Sequence, residues 1–81
     1  MNKITYKTFT DSSVLKSAAW DEKTETLLVV FNSNSIWNYQ SVPYDVFLNL
    51  INSNSAGKFF NLNIRNFYVS TCIYKKTSQN V

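Results

Sequence analysis

Ile36-Trp37-Asn38-Tyr39-Gln40-Ser41-Val42-Pro43-Tyr44-Asp45 is the stretch where an alternating pattern gives way to a helical one. Alternation over the first four residues puts Trp37 and Tyr39 on one face of a strand, and Ile36 and Asn38 on the other. Pro43 suits the first position of a helix, where its missing N–H costs nothing. Asp45 in the first turn meets the positive end of the helix dipole. Val46, Phe47, Leu50 and Ile51 then recur as one apolar stripe. A strand leading into an amphipathic helix predicts a sheet with a helical cover.

Upstream, Thr26-Leu27-Leu28-Val29-Val30-Phe31 is continuously apolar. That pattern predicts a central strand buried on both faces. Asn32 to Ser35 must turn the chain, and Asn34 tolerates the left-handed conformation such a hairpin needs. Ser13 to Trp20 reads as the preceding strand. Between the two lies Asp21-Glu22-Lys23-Thr24-Glu25. Its three acids read as a solvated hairpin tip or, alternatively, as a paired-carboxylate site. These three strands form an antiparallel meander, which cannot stand alone with one apolar face bare. Residues 1–11 alternate over Ile4, Tyr6 and Thr8, as an edge strand or a mobile N-terminal arm would.

Downstream, Asn52-Ser53-Asn54 stops the first helix. Ser55 or Asn54 caps a second, shorter helix that runs to about Leu62. Gly57 inside it costs roughly 1 kcal/mol against alanine, so something packs closely against the backbone there, either a neighbouring strand or a ligand. Phe67 to Tyr74 alternates as a final strand, with Cys72 as a small buried hydrophobe. The fold class is therefore α+β: a small antiparallel sheet, made of a three-strand meander plus a C-terminal strand, covered by two short helices. Residues 75–81 form a polar tail.

Composition excludes several functions. The chain has no histidine and a single cysteine. The commonest general base, the commonest metal ligand and any internal disulfide are thereby absent. With no nucleophile motif either, the expectation is a protein that is not an enzyme and holds no metal or cofactor. The net charge of +3 permits an anionic partner without the basic stripe of a dedicated DNA binder. No apolar run is long enough to span a bilayer, so no membrane partner and a cytoplasmic location are expected. Asparagine and serine abound beside a single glycine. Such a skew suits an AT-rich coding genome, of the kind many phages have; host cytoplasm is then the setting.

The order of motifs resembles the KTSC domain, named for its occurrence at the C-terminus of some lysyl-tRNA synthetases. It also occurs in stand-alone bacterial and phage proteins. The resemblance rests on Ala19-Trp20-Asp21, the aromatic pair in Trp37-Asn38-Tyr39, and Val42-Pro43. Its most specific part is Ser55-x-Gly57-Lys58-Phe59-Phe60-Asn61-x-x-Ile64-Arg65-x-x-Tyr68. Residues 12–74 would form the KTSC-like domain. Two positions depart from the family pattern. Trp37 stands where the family usually has a tyrosine, which removes a hydroxyl but keeps a stacking surface. Asn34 stands where a hairpin glycine is usual. The resemblance implies RNA binding as a family-level expectation.

Aromatics beside basic residues are the pattern of single-strand or nucleotide binding. The residues expected to bind ligand are Trp37, Tyr39, Lys58, Asn61 and Arg65. Trp37 and Tyr39 offer stacking faces or, alternatively, pack under the helix. Lys58 and Arg65 supply cations, and the Asn61 amide reads a base edge or satisfies a helix end. Three functions fit this set. The first is a non-enzymatic module for a nucleic-acid or nucleotide-type anion, with single-stranded RNA or a small nucleotide as its partner. The second is a phage-type counter-defence protein that sequesters a small nucleotide messenger. The third is a protein-interaction module, pairing with a protein partner or a second copy through Tyr68, Tyr74 and Phe9 or through an edge strand.

Overall fold

The computed structural model of the protein describes residues 3–10 and 12–75. Most of the expected polar tail lies outside the described residues. Five strands form one antiparallel sheet in simple chain order: β1 (Ile4–Thr8), β2 (Leu15–Asp21), β3 (Thr26–Phe31), β4 (Ile36–Tyr39) and β5 (Ser70–Tyr74). Helices α1 (Tyr44–Asn52) and α2 (Ala56–Asn63) fall between β4 and β5. The α+β class stands, with a fifth strand where four were expected. The N-terminal segment is an edge strand, paired with β2 from Ile4↔Asp21 to Thr8↔Ser17.

The inner face of the sheet follows from register. Trp20 pairs with Leu27 and Ala18 with Val29; Leu27 pairs with Tyr39 and Val29 with Trp37. These side chains meet Val42, Phe47 and Leu50 of the α1 region and Ala56, Phe60 and Ile64 of the α2 region in one core. The apolar stripe read in α1 is the face that packs inward. Phe47 and Leu50 are fully buried, and Val46 and Ile51 pack at the margin. Pro43 sits one place earlier than expected, as the N-cap with extended ψ. Its ring fixes φ where the chain turns from β4 into α1.

Three aromatic arrangements tie the layers together. Trp20 stacks near Phe47 with ring centroids 6.2 Å apart, and its indole Nε1 donates to the buried Val42 carbonyl at 2.8 Å. Phe60 is edge-on to both Phe31, at 5.4 Å, and Tyr39, at 5.3 Å. Such edge-to-face contacts add stabilisation beyond area burial.

The expectation that β3 is buried on both faces is corrected. Leu27 and Val29 are buried, while Leu28 on the opposite face is exposed. Both helices cover the same face, so the run is central in the sheet yet covered only once. The last strand is also shorter than expected. Phe67 and Val69 lie outside it, and every residue of β5 is exposed. Cys72 is accordingly an exposed free thiol and not a buried hydrophobe. As an edge strand beyond the reach of the helices, β5 has backbone pairing but little to pack against.

The turns behave as their residues dictate. Asn34 adopts φ 70°, the left-handed conformation expected of it; Glu25 and Ser41 also have positive φ, at 55° and 56°. The Asp21 side chain accepts from the Lys23 amide at 2.9 Å, closing the acidic hairpin tip as a turn. Gly57 is a close-packing glycine, and the partner is a chain segment. A Cβ there would lie 3.1 Å from Val14 Cβ, in the segment entering β2.

Two stability predictions follow from this packing. Trp20→Phe removes the buried donor and strands the Val42 carbonyl, at a cost of about 1–3 kcal/mol. In a domain of this size each kcal/mol lowers the thermal midpoint by roughly 4–8 °C, which differential scanning calorimetry will read. Gly57→Leu drives a side chain into Val14 and costs about 1–3 kcal/mol through overpacking; chemical denaturation will show a lower midpoint despite the gain in helix propensity.

Candidate functional site

The sheet and α2 do not close against each other at their margins, and two grooves remain. The first has a volume of about 620 Å³ and lies between the N-terminal strand, the Ser12–Val14 segment and the start of α2; its walls include Lys7, Phe9, Gly57, Lys58 and Asn61. The second, about 530 Å³, lies where β3, β4 and the chain after α2 converge; Phe31, Trp37, Tyr39 and Arg65 line it with Asn32, Ser33 and Asn66. Ser13 and Val14 belong to both walls.

The wall between the grooves is tied down by local hydrogen bonds. Ser12 Oγ accepts from the amides of Val14, at 3.2 Å, and Leu15, at 2.9 Å. Asn32 Nδ2 donates to the Ser12 carbonyl at 2.9 Å, and the Asn32 amide donates to the Val14 carbonyl at 2.9 Å. Serine and asparagine offer such bonds to nearby backbone, which is why they accumulate in these connecting segments.

All five residues expected to bind ligand line these grooves, but not as one cluster. Trp37, Tyr39 and Arg65 come together in the second groove, whereas Lys58 and Asn61 lie in the first. Arg65 Nη1 donates to Asn61 Oδ1 at 3.0 Å, so one side chain from each groove meets the other. The bond joins residues four apart, but Arg65 lies just past the end of α2, beyond the Ile64 C-cap. The i,i+4 spacing was visible in the sequence. What hid it was the choice between a helix-end amide and a base reader for Asn61.

Trp37 and Tyr39 share a face, as alternation required, yet differ in access. Trp37 is half-buried and presents part of its ring to the groove. Tyr39 is 3% exposed, with Phe60 edge-on to its ring. It is a core residue whose edge reaches the groove wall, so it offers no open face for stacking. Burial pushes its hydroxyl pKa up, and the nearby Arg65 charge opposes that shift.

Lys7 was not singled out by sequence, and Phe9 was expected at a protein-interaction face and not in a ligand groove. Their groove position depends on β1 pairing with β2 and on the Phe9 amide donating to the Lys16 carbonyl at 2.9 Å. The groups expected to form an aromatic interaction face are divided by the fold. Phe9 and Tyr68 pack beside the core, while Tyr74 is exposed on β5.

Neither groove has an acidic residue among its described lining residues, while Lys7, Lys58 and Arg65 bring three cations. No group of three or more His, Cys, Asp or Glu side chains that could hold a metal exists among the described residues. No helix among them is long and apolar enough to cross a membrane.

This architecture defines a small sheet-and-helix module with a polar, cation-bearing groove system along one margin. Residues 11–68 match the KTSC domain, and the chain belongs to that family. It is 39% identical over 51 residues to a lysine–tRNA ligase of Nostoc punctiforme, covering 63% of this chain but only 9% of that protein. A protein of Stutzerimonas stutzeri is 36% identical over 50 residues, covering 62% of this chain and 70% of that one. The crystal structure of a KTSC domain protein from Yersinia pestis superimposes with a TM-score of 0.81 at 22% identity, over 88% of this chain and 99% of that one. That likeness shows the shared fold.

The Tyr39 hydroxyl gives a pH prediction. Its raised folded pKa keeps it neutral after the unfolded tyrosine, with a pKa of about 10, begins to ionise. Its contribution to stability is fully present below that unfolded value and is lost as pH rises through the higher folded one. Stability of the parent protein is expected to fall more steeply above about pH 10 than that of Tyr39→Phe, as measured by denaturant midpoints across that range.

Proposed function

We propose that this protein is a non-enzymatic binding module for a nucleic-acid or nucleotide-type anion, with single-stranded RNA as the favoured ligand. The observation that carries this reading is the second groove, where a half-buried Trp37 ring and the Arg65 guanidinium share a lining with no acidic residue among the described ones. An aromatic face accepts any base, and a guanidinium accepts a phosphate in a bidentate fashion. The exchange of tyrosine for Trp37 enlarges that stacking surface. A relative that by its name acts on tRNA supports the choice of RNA. The groove linings hold no histidine and, among the described residues, no carboxylate, which supports binding over catalysis.

A second reading draws on the uncovered outer face of the sheet. Ile4, Tyr6 and Leu28 are exposed on that side. Exposed apolar surface of this kind suits a protein partner.

Arg65→Ala and Trp37→Ala test the leading reading by titration with fluorescently labelled single-stranded RNA. Each variant is expected to remain folded and to bind more weakly, by roughly 1–3 kcal/mol for the lost stacking or phosphate contact. Affinity for RNA is expected to fall steeply with salt. A preference for free small nucleotides with weak salt dependence points instead to sequestration of a nucleotide messenger. Undiminished binding by both variants rejects the groove, and no binding at all leaves the sheet face as the surface to pursue.

A further inference from the structure

The first groove repeats the chemistry of the second. Phe9 stands in it as Trp37 stands in the other, each a half-buried aromatic ring on a groove wall. Lys7 and Lys58 are the cations of the first groove as Arg65 is of the second, and both lysines are exposed on the surface. Hydroxyl and amide side chains complete both linings: Thr8, Ser12 and Asn54 on one side, Asn32, Ser33 and Asn66 on the other. Each volume, about 620 and 530 Å³, falls within the range of single small-ligand sites.

The two grooves are also joined. Ser13 and Val14 line both, and the Asn61–Arg65 hydrogen bond links one lining to the other. The shared wall is fixed by the Ser12 and Asn32 bonds, so the spacing between grooves is built in before any ligand arrives. Preorganisation of this kind lowers the ordering cost of a ligand that engages both ends.

We infer that the two grooves are paired subsites for a ligand carrying two bases joined through a phosphodiester, with one base at Trp37, the other at Phe9, and the backbone phosphates met by Arg65, Lys58 and Lys7. This rests on the nucleotide-binding reading of the second groove and extends it to a second subsite with its own residues. Two sources supply that chemistry: two successive nucleotides of a single strand, or a free cyclic dinucleotide.

The test is a length series on the intact protein, with pA, pApA, pApApApA and cyclic di-AMP titrated by calorimetry. Filling the second subsite is expected to make pApA or cyclic di-AMP bind at least about tenfold tighter than pA, since one stacked base contributes roughly 1–3 kcal/mol. A gain with pApA that persists in pApApApA assigns the site to a strand; a gain with cyclic di-AMP alone assigns it to the free dinucleotide. The double variant Lys7→Ala/Lys58→Ala changes only exposed side chains and is expected to erase the gain of the two-base ligands over pA. Equal affinity for pA and the two-base ligands overturns the paired subsites while sparing the single nucleotide site. Survival of the full gain in the double variant overturns them too. Absence of binding across the whole series removes both readings together.

Discussion

Phe60 holds α2 against the sheet. Its ring is fully buried and meets Phe31 and Tyr39 edge-on from the helical layer. These contacts fix the height and rotation of α2 above β3 and β4. Lys58 and Asn61 are then carried on the outer side of the same short helix, and Arg65 follows just beyond its end. Because an α2 of eight residues is too short to hold itself helical in water, its shape depends on that docking. Lys58, Asn61 and Arg65 therefore inherit their groove positions from one packed aromatic.

The second constraint is economy of cover. Two short helices cannot shield both faces of a five-stranded sheet, and both lie on one side. The core is correspondingly thin, and a small domain of this kind has little stability to spare. Where the helices end, side chains that would be core in a larger protein become groove walls, Trp37 among them. A partly covered aromatic beside a guanidinium is thus a consequence of the module's size as much as of its motif.

Electrostatics sharpen the same margin. The acidic residues Asp21, Glu22 and Glu25 collect at the β2–β3 hairpin, and neither groove lining holds an acid among its described residues. The formal charge of +3 says little by itself. Among the described residues, those that line the grooves and carry charge are cations, beside neutral hydrogen-bonding groups, an arrangement that favours anions at close range. The Arg65 charge also reaches Tyr39, tempering the rise that burial imposes on its hydroxyl pKa.

Much of this was legible in the chain. Alternation gave β4 its two faces, the apolar stripe gave α1 its inner side, and Asn34 marked a left-handed turn by its side chain alone. The capping position at Ser55 marked α2, and the family motif marked Lys58, Asn61 and Arg65 on and beside it. These are local properties, set by periods of two and 3.6 residues and by backbone conformations that few side chains tolerate. What the sequence could not decide was which face of the sheet the helices cover, because both faces of β3 are apolar and a period-two pattern is silent on such a run. That choice buried Tyr39, left Trp37 half open and exposed Leu28. It also brought Phe9 and Lys7, far away in the chain, to the foot of α2. Local pattern determined the elements and the chemistry they carry; only long-range pairing and one-sided packing decided which of those side chains share a groove.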